Sequence, residues 1–265
     1  MVKTVLVTGA AGGMGRAICA RLLRSGYEVW GLDRRNEGCP GGVRFISCDV
    51  TEPASVAAAL EAVKAETDRL DAIVHTAGIY DLDSLLEMGE ERFRRIFEVN
   101  LFGVYRINRV FVPMLAAGGR IVIVSSELAP LDPLPFTGVY AVTKGALEKY
   151  AASLRMEVNL LGISVSVIRP GAVQTGLLGD STRALDRFCE ETKLYTCNAE
   201  RFKRIVNSVE ARNVPPERIA ERAERALCAR KPRLVYKVNR NPLLLLLNAL
   251  PDRLQLFVIG KILKP

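Results

Sequence analysis

The sequence predicts an α/β fold in which helices cover both faces of a parallel sheet. Short β-rich runs alternate with helical patterns along most of the chain. Those runs are continuously apolar more than they alternate, as strands are when both faces are covered. The composition agrees: 49% apolar and 25% charged residues over 265 positions describe an ordinary globular protein. A chain of that length can bury roughly three quarters of its unfolded surface.

Seven strands are expected, at residues 4–8, 28–33, 43–48, 72–75, 120–125, 164–168 and 233–238. Helices are expected at 13–25, 53–66, 90–115, 139–161 and 216–229, with Pro113 closing the third. Residues 180–212 are apolar in places (Phe188, Leu194, Tyr195, Phe202) without a strand signal, and read as short helices. No internal repeat or low-complexity linker interrupts the chain. Residues 1–238 are therefore expected to form one domain, and residues 239–265 a basic, leucine-rich helical extension.

The formal net charge is +8, and residues 213–265 carry +7 of it. A surplus confined to the tail, without an aromatic stacking motif or basic recognition helix, argues against a nucleic-acid binder. The six cysteines (Cys19, Cys39, Cys48, Cys189, Cys197, Cys228) form no CxxC pair, and His75 is the only histidine. Neither a metal site nor a redox dithiol is expected. The opening apolar run is too short for a signal peptide. No run reaches the ~20 apolar residues that span a bilayer; the leucines at 243–247 are closed by Asn248 and Pro251. A cytoplasmic location is expected.

Directly after the first strand, Thr8-Gly9-Ala10-Ala11-Gly12-Gly13-Met14-Gly15 opens a helix. Glycines there allow a tight turn and close backbone approach, and the helix N-terminus offers free N–H groups to a pyrophosphate. The string fits two spacings, Gly9-Gly13-Gly15 and Gly9-Gly12-Gly15, and alone does not choose between them. Asp33 ends the second strand 18 residues after Gly15. An acid there binds the adenosine ribose hydroxyls and repels a 2′-phosphate. Arg34 and Arg35 follow at once and are the alternative, holding such a phosphate. NAD is favoured over NADP, because the carboxylate lies closest to the 2′ position and Gly12, before the middle glycine, is not basic.

Tyr140 and Lys144 form the only Tyr-x-x-x-Lys pair among seven tyrosines. Positions i and i+4 share a helix face. The ammonium is expected to lower the phenol from its ordinary value of about 10, making an acid/base usable near neutral pH. A plain pair on a helix surface is the alternative.

With these motifs the sequence resembles the short-chain dehydrogenases/reductases, in their shorter single-domain branch, over residues 2–238. The turn from Thr8 to Gly15 matches that family's cofactor turn, and the resemblance settles the glycine spacing against the longer epimerase-type branch. Asp49, followed by Val50, matches the acid that meets the adenine. Asn100 matches the helix asparagine that holds a water beside the lysine. Ser126 follows the fifth strand, ahead of Tyr140 and Lys144. Pro170-Gly171-Ala172-Val173-Gln174-Thr175 matches the turn beneath the nicotinamide, with Thr175 on its carboxamide. The resemblance implies a doubly wound, Rossmann-type fold and a cofactor site including Gly9, Gly13, Met14, Gly15, Asp33, Arg34, Asp49, Val50, Ala77, Gly78 and the 170–175 turn.

The implied chemistry is hydride transfer between a nicotinamide and a secondary alcohol or ketone. Tyr140 would exchange the hydroxyl proton and Ser126 would bond the substrate oxygen. Lys144 would bind the nicotinamide ribose, and Asn100 would anchor a water relay. Two departures stand out. The family's Asn-Asn-Ala-Gly reads His75-Thr76-Ala77-Gly78 here, so Thr76 has only a hydroxyl to offer and His75 is read as structural. Ser126 also lies 14 residues before Tyr140, one more than the commonest spacing. Pro130, Pro133 and Pro135 leave room for that residue to bulge, and Ser125 is the fallback.

The substrate wall is expected from Leu128, Leu134, Phe136, Val173, Leu177, Leu178 and Tyr195. Such a wall suits a hydrophobic alcohol or ketone such as a steroid, bile acid or other lipid. The tail reads either as a helix pair packing on the body or a second subunit, or as a membrane-surface element that does not span. The resemblance implies a homodimer or homotetramer through residues 90–115 and 139–161. A rival reading is a catalytically idle dinucleotide sensor or scaffold; the intact Asn100, Ser126, Tyr140 and Lys144 argue against it.

Overall fold

Strands β1 (Thr4–Thr8), β2 (Glu28–Asp33), β3 (Arg44–Ser47), β4 (Leu70–His75), β5 (Leu115–Val124), β6 (Ser164–Pro170) and β7 (Val235–Val238) form one sheet. Their order is β3-β2-β1-β4-β5-β6-β7, every neighbour parallel. The structure is a computed structural model that describes residues 3–132 and 134–264. Val2, where the family resemblance begins, Pro133 of the proline-bearing loop and Pro265 lie outside the described residues.

Successive side chains of a strand leave opposite faces of a sheet, and β1 shows why both faces must be covered. Val5 and Val7 join one cluster, with Ile18 and Leu22 of α1 (Gly13–Arg24) and Ile219 and Ala223 of α8 (Glu217–Cys228). Leu6 faces the other side, with Val56 and Val63 of α2 (Pro53–Lys64) and Ile107 and Phe111 of α4 (Gly103–Phe111). Helix α5 (Gly138–Asn159) continues that second layer over β5 and β6 through Leu147 and Ala151. The strand order reverses between β1 and β4, which opens a crevice at their C-terminal ends, where such sheets take ligands.

Two segments differ most from the sequence expectation. Residues 90–115 are not one helix: α3 (Glu90–Phe97) runs into a π-helical turn at Glu98–Phe102 before α4 begins. A 3₁₀ turn at Val112–Met114 then holds Pro113, and Leu115 already belongs to β5. The proline lacks the N–H that a further α turn needs. Residues 180–212 lie in two full helices, α6 (Gly176–Glu191) and α7 (Thr196–Glu210). Each contributes an apolar stripe, Leu185 and Phe188 facing Ala199 and Phe202, that is stable only once paired.

The tail folds as α9 (Pro242–Asn248) and α10 (Asp252–Leu263) and is tied to the body at both ends. The Asn241 N–H donates to Glu127 Oε2 at 2.7 Å, and the Asp132 N–H to Asn248 Oδ1 at 2.6 Å. Leu263 is buried in the cluster between α6 and α7. No helix among the described residues is long and apolar enough to cross a membrane.

Candidate active site

The turn after β1 is built from contacts that only glycine permits. Gly9 has φ +70°, and a Cβ there would lie 2.6 Å from the Ala77 amide nitrogen. A Cβ on Gly15 would coincide with the Gly9 carbonyl oxygen, and one on Gly13 would fall 2.7 Å from the Thr175 side chain. The turn therefore closes against β4's exit on one side and the 170–175 segment on the other. Thr76 supplies the tie to β4: its hydroxyl donates to Thr8 O at 2.7 Å and Gly9 O at 3.2 Å. That is the work left to the residue replacing the family's asparagine.

Between these segments lies a cavity of about 220 Å³, lined by Gly9, Gly13, Gly15, Gly78, Tyr140 and Lys144 among others. The first N–H groups of α1 face it without intrahelical acceptors. At the end of β2, Asp33 Oδ2 accepts the Ala11 N–H of the turn at 3.0 Å and Oδ1 accepts the Arg34 N–H at 2.7 Å. Arg34 and Arg35 are exposed. Burial pushes the Asp49 carboxyl up, but hydrogen bonds from the Thr51 N–H and hydroxyl, with the charges of Arg34 and Arg95, outweigh it and hold the group below the usual range. Val50 packs on Gly103, where a Cβ would lie 2.7 Å from its Cγ2. A cradle emptied of side chains, a helix N-terminus and an acid at the end of β2 fit a dinucleotide.

Tyr140 and Lys144 line this cavity, Asn100 flanks its Gly78, and Ser126 lines the cavity that adjoins it at Tyr140. Asn100 is fully buried in the π turn, where its Oδ1 accepts the Ile79 N–H at 2.9 Å. Its Nδ2 donates to Ile79 O at 3.0 Å and Thr143 Oγ1 at 3.2 Å. A Cβ on Gly78 would lie 3.3 Å from Asn100 Oδ1 and 3.5 Å from Lys144 Nζ, so both polar groups flank that glycine. π turns of this kind occur often at functional sites. The periodicity of residues 90–115 carried no sign of it, because one extra residue per turn leaves the apolar pattern readable as a continuous helix.

The electrostatics correct one expectation. Burial pushes the Tyr140 phenol up to about 12, against a hydrogen bond with Ser126. Burial likewise brings the Lys144 ammonium down to about 8, against the Glu148 carboxylate one turn on. Lys144 Nζ lies 5.7 Å from the Tyr140 ring centroid, and it donates to Val124 O at 3.5 Å. Desolvation of both groups thus outweighs the lysine's pull on the phenol. Glu148 is itself gripped by Arg169, with contacts of 2.5–3.1 Å.

Ser126 and Ser125 are both buried at the end of β5. Ser126 Oγ accepts the Leu128 N–H at 3.2 Å, whereas Ser125 Oγ has no partner among the described residues. His75 is fully enclosed, with Nε2 2.9 Å from Asn108 Oδ1, and burial pushes its imidazole down to about 4. It is a neutral core histidine, in line with the structural reading.

A second, apolar cavity of about 190 Å³ adjoins the first, and Tyr140, Ser125, Met14 and Thr175 line both. Leu128, Leu134, Val173, Leu177 and Leu178 line it as the sequence predicts. Phe136 and Tyr195 do not: they stand behind it, with ring centroids 5.0 Å apart. Phe136 holds φ +66° and stacks on Phe188 at 4.4 Å, so aromatic packing offsets a backbone conformation that costs roughly 1–2 kcal/mol. Sequence reasoning missed Tyr80, Glu127, Ser181, Glu210 and Leu244 on this wall. Glu127 immediately follows Ser126 and was available to it; Leu244 lies in the tail, which offered no clue to where it docks.

The family model described as short chain dehydrogenase matches residues 3–186. The chain is 29% identical over 234 residues to a 3-ketodihydrosphingosine reductase of Bacteroides thetaiotaomicron, covering 82% of this chain and 86% of that protein. It is 33% identical over 192 residues to a 3-oxoacyl-[acyl-carrier-protein] reductase of Escherichia coli, covering 69% of this chain and 77% of that one. A short-chain dehydrogenase of Streptomyces avermitilis superposes with a TM-score of 0.80 at 27% identity, covering 99% and 97% of the two chains. The fold of that family takes a nicotinamide dinucleotide at the crevice where the glycine turn lies here, and its members are oxidoreductases. Matched over more than two thirds of its length and in sheet order, this chain belongs to the short-chain dehydrogenase family.

Proposed function

We propose that the protein interconverts a secondary alcohol and a ketone on a hydrophobic substrate, with NAD preferred over NADP. The observation that carries this reading is the position of Tyr140 on the wall shared by the glycine-lined and apolar cavities. A group there reaches both a cofactor and a substrate. A bound nicotinamide supplies the hydride-exchanging carbon. The chain's residues handle the proton and the oxygen. Tyr140, protonated at neutral pH, donates its hydroxyl proton to a ketone oxygen and takes it back from an alcohol. Ser126 bonds the same oxygen and stabilises its developing charge, with Ser125 as the fallback. Lys144 holds ribose hydroxyls and resupplies the proton, and Asn100 orients the water that connects Lys144 to solvent.

Asp33 supports NAD, because its carboxylate is held by two backbone N–H groups at the end of β2. The relatives that reduce 3-ketodihydrosphingosine and 3-oxoacyl groups favour a lipid-like substrate by analogy, as does the apolar wall. The outer faces of α4 and α5 expose Tyr105, Met156 and Leu160, which supports pairing of two chains along those helices. An idle dinucleotide sensor would need none of the convergence around Tyr140. Tyr140→Phe is expected to abolish turnover on a panel of hydroxysteroids and aliphatic secondary alcohols while leaving dinucleotide affinity within about twofold. Retained turnover would overturn the assignment.

A further inference from the structure

The apolar cavity ends in a polar group that the reaction above does not use. Helix α7 lays Phe202, Ile205, Val206 and Val209 along the cavity wall, the i, i+3, i+4, i+7 stripe of a core-facing helix. The next position of that stripe, i+8, is Glu210, and it lines the cavity too. Three physical terms oppose a carboxylate there. It is half-buried, and that burial pushes its carboxyl above the usual range. Among the described residues it has no cationic partner within ion-pair distance. It is also the last residue of α7, where the helix dipole disfavours a negative charge.

What holds it is a buried hydroxyl. Ser181, 2% exposed, donates to Glu210 Oε1 at 2.5 Å, and Tyr80 lines the same stretch of wall, its phenol influenced by the Ser181 hydroxyl. The Tyr80 ring lies 4.7 Å from the Tyr140 ring. Among the described residues no donor bonds Glu210 Oε2. The Ser181 bond therefore fixes the carboxylate in the chamber of the reacting phenol and leaves one acceptor for a ligand. Glu127, the other acid on this wall, is spoken for by the Asn241 N–H and the charge of Arg240.

We infer that Glu210, held by Ser181, is a substrate-selecting subsite that binds a hydrogen-bond-donating substituent, hydroxyl or ammonium, on an otherwise apolar ketone or alcohol. The inference rests on the reaction proposed above for the substrate's identity as a ketone or alcohol, but not for binding. A site that hydrogen-bonds a substrate donor disfavours the analogue lacking it, because its own acceptor is left unpaired.

The test uses an unbranched medium-chain methyl ketone and its hydroxy- and amino-substituted counterparts, the donor placed at successive carbons from the carbonyl. The full-length wild type is expected to prefer a donor-bearing ketone in kcat/KM by roughly ten- to a hundredfold, the value of one charge-assisted hydrogen bond. Glu210→Gln should cut that preference at least fivefold for the amine, and less for the hydroxyl if the hydroxyl is the natural group, since the amide still accepts. Calorimetric binding of the matching alkylamine and alkanol, which carry no ketone, gives a readout independent of turnover. Ser181→Ala, which frees the carboxylate to move, should weaken the same binding and serves if Glu210→Gln does not fold. Selective binding without turnover of any ketone would sink the proposed reaction and leave the subsite standing. Equal use and equal binding of donor-bearing and plain compounds, unchanged in both variants, would overturn the subsite.

Discussion

Replacing Lys144 with Met should stabilise the folded protein at neutral pH. The side chain is 5% exposed, and burial brings its ammonium from 10.5 down to about 8. At about 1.4 kcal/mol per pH unit, that displacement costs the fold about 3 kcal/mol while the amine is charged. Methionine has a similar unbranched length and carries no charge into the core; it gives up the 3.5 Å bond to Val124 O. The sign with pH follows from proton counting. Below pH 8 the amine is protonated in folded and unfolded chains alike, so the whole cost stands. Between 8 and 10.5 the folded chain has released the proton and the unfolded chain has not, so wild-type stability climbs by about 1.4 kcal/mol per unit. Cys19, pushed up to about 12 from 9.0 by burial, works in the opposite direction above pH 9, but it is common to both proteins and cancels in their difference. Urea unfolding of the two cofactor-free proteins, from neutral pH to about pH 10, measures that difference at constant m-value. Lys144→Met should lead by about 3 kcal/mol at neutral pH and lose the lead steadily above pH 8. A variant less stable than wild type at neutral pH, or a difference flat across this range, would show that Lys144 is not a buried, destabilising charge.

The glycines separate strain from propensity. Gly15→Ala drives a Cβ onto the Gly9 carbonyl and should lower stability by several kcal/mol or abolish dinucleotide binding, whereas Gly260→Ala meets nothing within 4 Å inside α10 and should stabilise by roughly 0.5–1 kcal/mol in thermal unfolding. Asp33→Ala should narrow the ratio of kcat/KM for NAD over NADP; a wild type that already prefers NADP contradicts the reading of that acid. His75 titrates in the folded chain near 4 and in the unfolded chain near 6.5, so the unfolded chain binds the extra proton in between. Acid should therefore remove up to about 3 kcal/mol of stability across that window, and His75→Gln, measured by unfolding at each pH, should flatten the slope.

What the sequence made legible was local in kind. The strands read as apolar runs more than as alternations, most clearly at Val5–Val7 of β1, because both faces of the sheet are covered, and the Gly9–Gly15 turn announces itself because no other residue fits between Ala77, Thr175 and its own carbonyl. Tyr140 and Lys144 are visible as a helical i, i+4 pair. Three features were not legible, for different reasons. The π turn at Asn100 is set by what Asn100 must reach, the backbone of Ile79, which lies in a segment remote in sequence. The phenol's upward shift depends on burial, a property of the packed chain and not of the pair's spacing. The lengths of α6 and α7 follow from their mutual burial of Leu185, Phe188 and Phe202, which neither helix shows by itself.

The same distinction locates function within the fold. Around the sheet, propensity, patterning and burial agree at most positions, the exceptions among the described residues being the buried, unpartnered Trp30 Nε1, His75 Nδ1 and Arg120 Nε. Around the two cavities they disagree. A desolvated ammonium at Lys144, a buried phenol at Tyr140, an unpartnered hydroxyl at Ser125 and a carboxylate in the apolar stripe at Glu210 all occur there. Each of these destabilises the fold taken alone, and each is held in place by rigid elements: the end of β5, one face of α5 and the last turn of α7. Polar groups concentrated against stability, on a scaffold that does not let them relax, are the arrangement expected of groups whose partners are ligands. That pattern assigns Lys144, Tyr140 and Ser125 to the reacting end of the chamber and Glu210 to its far wall. It also separates the acids on that wall: Glu127 fastens the tail, whereas Glu210 pairs the buried Ser181 hydroxyl with one oxygen and turns the other to the chamber.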